Sequence, residues 1–509
     1  MSMTTEEFDV VVAGGGPSGS TTAAFVAKQG HSVLLLEKES FPRYQIGESL
    51  LPSTVHGICR LLGVADEVHD AGFVRKLGGT FRWGSDPEPW SFSFAFSPLM
   101  AGPTSHAYQV ERMKFDDILL KHARKVGVDV REQCTVLEVV DEGDRVAGLR
   151  YTDAEGIRRE VRAKYVVDAT GNKSRIFRGA HSERTYSEFF QNVAIFGYFE
   201  GGGRFPEPKR GNIFCEAFDE GWFWYIPLAD KLTSVGAVIN RESAAGIQGD
   251  PEQALLRMIQ RSPRIRRMLD GVPRVTEGPY GQVRVRKDYS YLNSRFWRSG
   301  MVLVGDAACF VDPVFSSGVH LATYSALLAA RSINSVLAGE VDEERSFTEF
   351  EARYRHEYGL FYEFLMSFYD MNVDDKSYYW QAKKVTNASD SELAAFVELV
   401  GGVSSQDASF VSAESARTKF LETSRELEDS VSAVNRSGTD DATPLYQSEV
   451  MGNVMEQGVQ VQAAAMFAGW LDEEDPMFED GMVPSADGLR WAFPGQVAGS
   501  VEQGRVATE

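Results

Sequence analysis

The beginning of the chain carries two short, continuously apolar runs separated by small residues. Residues 8–13 (FDVVVA) and 32–37 (SVLLLE) lack the alternation of a half-exposed strand, so each is predicted to be a strand buried on both faces. Residues 18–29 are small and compatible with a helix, which Gly30 ends. Strand, glycine-rich turn, helix and strand in this order predict one βαβ unit.

Further along the chain the hydrophobic pattern changes twice. Residues 164–170 and 300–306 are predicted to contain two more short apolar strands, which are closed by Asp and Gly. Residues 192–199 and 221–227 lie between them and carry patterns that suit an inserted antiparallel sheet. From about residue 323 onward the apolar positions recur with a helical period.

These patterns together predict an α/β (α+β) fold. The predicted core spans residues 1–370, with an inserted sheet domain at roughly 76–110 and 180–280. Residues 371–509 are predicted to form an acidic, mainly helical C-terminal region. Within it, residues 425–463 are polar and partly low in complexity, so loose connections between helices are expected there.

The charge of the chain excludes some partners. The net charge is −21, which argues against nucleic acid as a partner. Residues 371–509 contain 24 acidic and 9 basic residues, so most of the excess lies there. A solvated acidic surface is the simpler interpretation of this region, and a docking tail is the alternative.

Cysteine, histidine and hydropathy patterns narrow the setting. The 4 cysteines are scattered without a C-x-x-C pair, which predicts reduced thiols in the cytoplasm. The chain starts with an acidic segment and has no apolar run of about 20 residues, so neither a secretory signal nor a membrane span is predicted. The 8 histidines include no H-x-x-x-H pair, and no metal site is predicted.

A glycine-rich turn follows the first strand. Its sequence G-G-G-P-S-G fits the pattern G-x-G-x-x-G, in which glycines permit a tight turn, close approach of backbone N–H groups to a pyrophosphate, and close packing of helix and strand. An acidic residue ends the second strand, where such a residue binds ribose hydroxyl groups. The residues predicted to contact a dinucleotide here are Gly14, Gly16, Pro17, Ser18, Gly19 and Glu37.

Four motifs resemble those of known flavoproteins. P-R-Y-Q-I-G-E-S (residues 42–49) is similar to a loop of flavin-dependent halogenases and geranylgeranyl-reductase-like proteins, and G-D-A-A (residues 305–308) is similar to a second FAD fingerprint. G-W-F-W-Y-I-P (residues 221–227) and F-V-D-P-V-F-S-S-G (residues 310–318) match the halogenase patterns G-W-x-W-x-I-P and F-x-x-P-x-x-S-x-G. The chain thus resembles the flavin-dependent halogenases, in particular the carrier-protein type that acts on tyrosyl-like units, such as the chondrochloren and enediyne-pathway enzymes.

The resemblance implies one tightly held FAD, used as FADH2 with O2 and chloride. The implied chloride ligands are the backbone N–H groups of Ser317 and Gly318, which is physically reasonable near a helix end. Trp222 and Trp224 are implied to separate the flavin from the organic substrate. The further FAD contacts that the resemblance implies are Arg43, Gly47, Glu48, Ser49, Arg112 and Asp306.

The resemblance also implies that Lys76 carries oxidised chlorine. A substrate separated from the flavin requires a relay for hypochlorous acid, and a buried amine has a lowered pKa and better nucleophilicity. Arg75 is adjacent, but neighbours on a strand face opposite ways, and an arginine does not serve as an amine nucleophile. Lys76 is therefore the predicted catalytic residue.

The substrate and partners follow in part from the same motifs. Tryptophan halogenases carry a glutamate just before the S-x-G element, where this chain has Phe315. A phenol needs less help because its own oxygen stabilises the cationic intermediate, so a phenolic, tyrosyl-like substrate is predicted. A single dinucleotide fingerprint implies that a separate flavin reductase supplies FADH2. The alternatives are an FAD-dependent monooxygenase or geranylgeranyl-reductase-like oxidoreductase, and a non-catalytic flavoprotein.

A carrier protein that tethers the substrate is implied by the resemblance alone. Carrier proteins are usually acidic, so docking would require a basic face. Residues 261–267 (RSPRIRR), with Arg284, Arg286 and Lys287, are the candidates for this face. Exposed helix charges without a partner are the simpler interpretation.

Overall fold

The structure is a computed structural model that describes residues 6–83, 88–96, 102–218, 221–229, 231–240, 247, 249–370, 477–478 and 481–494. The described strands are β1 (Glu6–Ala13), β2 (Val33–Leu36), β3 (Val74–Lys76), β4 (Gly78–Arg82), β5 (Trp90–Ser93), β6 (Ala107–Gln109), β7 (Asp129–Arg131), β8 (Thr135–Glu142), β9 (Arg145–Thr152), β10 (Arg158–Asp168), β11 (Arg184–Phe199), β12 (Ile213–Phe218), β13 (Gly221–Ala229), β14 (Leu232–Asn240), β15 (Arg284–Asn293), β16 (Trp297–Arg298), β17 (Met301–Leu303), β18 (Cys309–Phe310), β19 (Val483–Pro484) and β20 (Trp491–Ala492). The described α-helices are α1 (Pro17–Lys28), α2 (Arg60–Leu62), α3 (Ala65–Asp70), α4 (Arg112–Lys125), α5 (Pro251–Arg261), α6 (Pro263–Met268), α7 (Ser317–Leu337) and α8 (Glu343–Asp370), and a π-helix spans Ser53–Cys59.

The first sheet is built around parallel strands. In the described part of the chain its order is β16-β17-β10-β1-β2-β7, and β9 and β8 extend it from β10. The four continuously apolar runs of the sequence form β1, β2, β10 and β17, which are neighbours in this sheet. β1 pairs in parallel with β2 on one side and β10 on the other. Burial of both faces explains why these runs lack polar alternation.

The second sheet has the order β18-β15-β11-β14-β13-β12-β4-β5 among the described residues. Alternate side chains of β13 enter different cores: Trp222 and Trp224 lie in the main core, whereas Phe223 and Tyr225 pack in a second core with residues of α5 and α6. The alternation of side chains along β13 therefore reflects a sheet with a separate hydrophobic core on each face.

These two sheets confirm the predicted fold class, a flavoprotein-type parallel sheet joined to an antiparallel sheet. Lys76 ends β3, which pairs with β6 in a short ladder outside both large sheets.

The C-terminal part of the described chain packs on α7. The hairpin of β19 and β20 contacts this helix through Trp491, whose Nε1 donates to the hydroxyl of Ser332 at 2.9 Å. Most of residues 371–509, including the polar segment 425–463, lies outside the described residues, and the expected helices there are not among the elements given above. Within the described part, no helix is both long and apolar enough to cross a membrane.

Candidate active site

The glycine turn between β1 and α1 has the geometry that its sequence predicts. Gly14 has a φ of 102°, and a Cβ atom there would lie 2.5 Å from the carbonyl oxygen of Ala169. A Cβ atom on Gly19 would lie 1.8 Å from the carbonyl oxygen of Gly14, so neither position accepts a side chain. α1 begins directly after Gly16, and its first turn has no acidic residue. Free N–H groups and the helix dipole at this end favour a phosphate group.

Glu37 follows β2 and stabilises this turn. Its Oε2 accepts the backbone N–H of Gly15 at 2.6 Å, and its Oε1 accepts the backbone N–H of Glu39 at 2.8 Å. The side chain is buried and also lines a cavity. Glu37 therefore has a structural role that the sequence did not reveal, in addition to its position beside the proposed ribose site.

A cavity of about 650 Å³ runs from the glycine turn to the second sheet. Of the site residues predicted from the sequence, those that line it are Gly14, Gly16, Pro17, Ser18, Glu37, Arg43, Gly47, Glu48, Ser49, Trp222, Trp224, Arg112, Asp306 and Gly318. Gly19, Lys76 and Ser317 are buried directly beside its walls and are not among the lining residues. The cavity thus brings together residues from all four sequence motifs and the glycine turn.

Arg112 supports the loop formed by residues 42–49. Its guanidinium donates to the carbonyl oxygens of Ile46 at 2.7 Å and Gly47 at 3.2 Å. It also forms two hydrogen bonds with the buried carboxylate of Asp116, which accepts a third from Arg43 at 2.8 Å. The two arginines therefore share one buried counter-ion and fix the path of the loop along the cavity.

Glu48 presents a carboxylate oxygen without a partner. Its Oε1 accepts the hydroxyl of Tyr198 at 2.7 Å, and Tyr198 in turn contacts the hydroxyl of Tyr44 at 2.7 Å. Its Oε2 is buried and has no partner within hydrogen-bond distance, although the Ser234 hydroxyl also lowers the pKa of this carboxyl. Burial raises the pKa of Glu48 to about 7. An unpaired oxygen at the wall of a cavity is expected where a bound molecule supplies the missing hydrogen bond.

Lys76 is buried, and its neighbour Arg75 is exposed. The Lys76 Nζ donates to the hydroxyl of Ser49 at 2.9 Å and to the carbonyl oxygen of Leu50 at 3.0 Å. It also lies 5.5 Å from the centre of the Phe94 ring. Burial lowers the pKa of Lys76 to about 7, because a charged amine is poorly solvated there. At neutral pH a large share of this amine is therefore unprotonated.

Trp222 and Trp224 form part of the cavity wall. They face the same side of β13, and their ring centres are 6.2 Å apart. The Trp222 Nε1 donates to the hydroxyl of Tyr369 at 2.6 Å, and this hydroxyl donates to Asp312 at 2.7 Å. The Trp224 Nε1 donates to the hydroxyl of Ser234 at 3.1 Å. Hydrogen bonds to both indoles fix the orientation of the wall.

The beginning of α7 also points at the cavity. Ser316 precedes the helix with a φ of 63°, and Gly318 lines the cavity. The buried hydroxyl of Ser317 has no hydrogen-bond partner. Backbone N–H groups in the first turn of a helix lack partners within the helix, so this end suits a small anion.

Phe315 lies in a group of aromatic side chains beside this helix start. Its ring centre is 5.0 Å from that of Phe364, 4.7 Å from that of Phe368 and 6.1 Å from that of Phe81. The position before the S-x-G element is therefore apolar and buried.

The structure adds cavity residues that sequence reasoning missed. Arg184 and Tyr291 line the cavity, with the Arg184 guanidinium 3.8 Å from the centre of the Tyr291 ring. Arg286 and Lys287 also line it, although the sequence suggested only a docking surface for them. Burial raises the pKa of Asp306 to about 6, against the lowering influence of nearby arginines. Arg184 lies on β11, and Arg286, Lys287 and Tyr291 lie on β15. The alternating pattern of these two strands was the only indication in the sequence, and such a pattern does not show which side chains face a cavity.

The cavity fits a flavin dinucleotide. It combines a glycine turn closed to side chains, two helix ends that favour anions, and a buried carboxylate oxygen without a partner. Among the described residues, no group of three or more His, Cys, Asp or Glu side chains could bind a metal ion.

Comparisons with known proteins identify the family. The family model described as tryptophan halogenase matches residues 9–102 and 97–427. A protein of Chondromyces crocatus described as tryptophan 2-halogenase is 37% identical over 407 residues, covering 77% of this chain and 75% of that protein. The flavin-dependent halogenase armH3 of Armillaria mellea is 35% identical over 361 residues, covering 66% of this chain and 69% of that protein.

A solved structure agrees with these matches. The myxobacterial chondrochloren halogenase CndH, described as a new variant of FAD-dependent halogenases, aligns with a TM-score of 0.73 and 50% identity, covering 96% of this chain and 100% of that chain. The monooxygenase, reductase and non-catalytic alternatives are thereby set aside. The chain belongs to the tryptophan halogenase family, and it is an FAD-dependent halogenase of an aromatic substrate.

Proposed function

We propose that the enzyme chlorinates a phenolic, tyrosyl-like substrate tethered to a carrier protein, with Lys76 as the relay for oxidised chlorine. Flavin-dependent halogenases need reduced flavin, and bound FADH2 with O2 supplies the oxidation of chloride to hypochlorous acid. The residues proposed to contact FAD are those at the glycine turn, the 42–49 loop, Arg112 and Asp306. The backbone N–H groups of Ser317 and Gly318 are the proposed chloride ligands.

The observation that carries the proposal is the environment of the Lys76 amine. The amine is buried, its pKa is lowered to about 7 by that burial, and it is hydrogen-bonded to Ser49, which lines the cavity. An unprotonated amine attacks the chlorine of hypochlorous acid, so that an N–Cl bond forms, the O–Cl bond breaks and water leaves. The chloramine then transfers chlorine to a ring carbon, and the proton that this carbon loses restores the amine. Alternatively, the amine binds hypochlorous acid by a hydrogen bond and directs its chlorine to the ring. A lysine with the ordinary pKa would be protonated at neutral pH and could not form the N–Cl bond.

The wall formed by Trp222 and Trp224 makes a relay necessary. Both indoles are anchored by hydrogen bonds, so the proposed role of the wall is to separate the organic substrate from the flavin while a small oxidant passes. Separation of this kind limits side reactions of the oxidant with the substrate.

Phe315 supports a phenolic substrate. Its aromatic surroundings leave no carboxylate at the position just before the S-x-G element. A phenol activates its own ring, because its oxygen stabilises the positive charge that develops when chlorine adds to carbon. The proposed substrate therefore needs no glutamate there.

The test compares Lys76→Ala with Arg75→Ala, two adjacent residues on β3. With FADH2 from an added reductase, Lys76→Ala is expected to lower chlorinated product by roughly 100-fold or more, because it removes the reacting amine. Flavin oxidation and chloride-dependent oxidant release, measured with a thiol trap, are expected to continue. Arg75→Ala is expected to stay within about twofold of the wild type, since its side chain is exposed.

Mass spectrometry of the products decides between outcomes. A fully active Lys76→Ala variant would contradict the relay, and hydroxylation without dependence on chloride would contradict the chlorination itself. Free tyrosine analogues assayed beside carrier-loaded ones test the tether. Equal rates on both would argue against a carrier protein.

The basic surface on α5 and α6 is the proposed docking site for the carrier. Arg266 and Arg267 are exposed, whereas Arg264 is ion-paired with Glu88 at 3.0 Å. Arg286 lines the cavity, so it is a poor candidate for docking. Charge complementarity with an acidic carrier would mainly affect association.

Charge reversal of the docking surface tests this proposal. Arg266→Glu with Arg267→Glu is expected to raise the KM for the carrier-bound substrate about tenfold and to leave the KM for a small-molecule mimic unchanged. Arg158→Glu, an exposed arginine on β10, is the matched control. An equal loss on both substrates would exclude docking at this surface.

A further inference from the structure

Three buried polar side chains beside the cavity are linked to one another by hydrogen bonds. They are Ser53, His320 and Glu357, which are 1%, 0% and 0% exposed. The His320 Nδ1 lies 2.8 Å from the Ser53 hydroxyl, and its Nε2 lies 2.7 Å from Glu357 Oε1. None of the three lines the cavity. We refer to them below as the bridging chain.

The bridging chain joins three separate elements. Ser53 begins the π-helix, His320 is the fourth residue of α7, and Glu357 lies in the middle of α8. A carboxylate accepts only, so the Nε2 carries the proton, and in the neutral ring Nδ1 accepts from the Ser53 hydroxyl. The carboxylate of Glu357 therefore determines which atom donates and which accepts in both hydrogen bonds of the bridging chain.

One end of the bridging chain is continuous with the loop that anchors Lys76. The Lys76 Nζ donates to Ser49 and to Leu50, which lie four and three residues before Ser53. The backbone between them is short and ordered, since Thr54 donates its N–H to the carbonyl oxygen of Leu51 at 3.1 Å. A shift of Ser53 would therefore move the acceptors of the Lys76 amine.

The other end is continuous with the proposed halide site. His320 lies one turn into α7, directly behind the N–H groups of Ser317 and Gly318. Its ring also packs against Tyr324 on the same helix, with ring centres 5.8 Å apart and planes at 6°. The imidazole is therefore a rigid part of the helix end that faces the cavity.

Stability alone does not account for the bridging chain. The second oxygen of Glu357 is buried and has no hydrogen-bond partner, which is costly in a protein interior. Replacement of a buried polar network by apolar residues often leaves stability equal or higher. A partly satisfied network of this kind is better explained by a need to hold the three elements that it joins in fixed positions.

We infer that Ser53, His320 and Glu357 are positioning residues, which set the separation between the halide-binding end of α7 and the loop that anchors Lys76. Correct separation directs oxidised halogen to the amine before it escapes. This inference rests on the proposed relay by Lys76. The three residues act through others and touch neither the halide nor the substrate.

The test uses Ser53→Ala and Glu357→Leu, each of which removes one hydrogen bond of the bridging chain, in the full-length enzyme loaded with FAD. Both variants are expected to oxidise FADH2 at the wild-type rate and to lower the yield of chlorinated product per oxidised flavin roughly tenfold, because small misplacements of reacting groups reduce rates steeply. Released oxidant, measured with a thiol trap, is expected to rise by the same amount. Ser53→Thr keeps the hydroxyl and is expected to restore the yield.

Ser332→Ala is the matched control. Ser332 is a buried residue of the same helix, and its hydroxyl donates to the carbonyl oxygen of Ser346 on α8 at 2.9 Å. It lies about four turns from the halide end, so its loss is expected to lower the melting temperature without changing the product yield. Equal yields in Ser53→Ala, Glu357→Leu and Ser332→Ala would overturn the inference.

A second measurement separates this inference from the proposed function. In the absence of turnover, the rate at which Lys76 reacts with a small amine-reactive reagent is expected to change at least threefold in Ser53→Ala. Peptide mass spectrometry measures this rate. The rate is expected to stay at the wild-type value in Ser332→Ala. An unchanged labelling rate in Ser53→Ala would also overturn the positioning role. Absence of any chlorinated product from the wild type would instead contradict the proposed function.

Discussion

The glycine turn and the lysine site differ in the part of the chain that performs the chemistry. At the turn, the functional groups are backbone N–H groups, and Gly14 and Gly19 are closed to any side chain. At the lysine site, the functional group is one amine whose pKa is lowered to about 7 by burial. A substitution that displaces the backbone of the turn is therefore expected to abolish that site entirely. The function of the lysine site is instead expected to change gradually with pH.

The largest effect is expected at the turn. Gly19→Ala would place a Cβ atom 1.8 Å from the carbonyl oxygen of Gly14, so the backbone of the turn itself would have to shift. The variant is expected to lose bound FAD, measured by flavin absorbance, and to unfold at a lower temperature. Gly359→Ala in α8 is the control, because a Cβ atom there meets nothing within 4 Å and a helix prefers alanine. Normal FAD affinity in Gly19→Ala would contradict a backbone site.

A smaller, pH-dependent effect is expected at the lysine. The usual pKa of Lys76 is 10.5 and the folded value is about 7, so between these values the unfolded chain binds more protons and stability rises with pH. Lys76→Met abolishes this contribution. From roughly pH 7 to pH 9, the free energy of unfolding of the wild type is expected to rise by about 2 kcal/mol relative to that of Lys76→Met. Urea titrations at several pH values measure it, and a constant difference would refute the shifted amine.

The smallest effect is expected at the wall between the two regions. Tyr369→Phe removes the hydroxyl that joins Trp222 to Asp312. The expected loss is about 1–2 kcal/mol of stability, from one buried hydrogen-bonded group, with a rise in released oxidant. Tyr362→Phe on the same helix, whose hydroxyl contacts Ser187 at 2.8 Å, is the control for stability alone. Equal oxidant release in both variants would indicate that the Trp222 anchor has no effect on the wall.

The flavin half of the site was predictable because its signals are local. The turn, the flanking strands and the acidic residue after β2 occupy residues 8–37 and report a backbone geometry that few other sequences adopt. The role of Glu37 in bonding the turn itself was not predictable, since it depends on which N–H groups its carboxylate meets.

The lysine half was only partly predictable. Alternation along β3 indicated that either Arg75 or Lys76 faces inward, but burial of Lys76 required the tertiary structure. The bridging chain gave no signal, because His320 was one histidine among eight and its partners Ser53 and Glu357 are 267 and 37 residues away along the chain.

The amino-acid sequence by itself determined the βαβ unit, the class of cofactor and the motifs that mark the family, because each depends on neighbouring residues and on steric limits of the backbone. Only the tertiary structure decided the burial of the Lys76 amine, the anchors of the indole wall and the three-residue chain behind them. These properties arise from desolvation and from hydrogen bonds between distant segments, which exist only when the chain is folded.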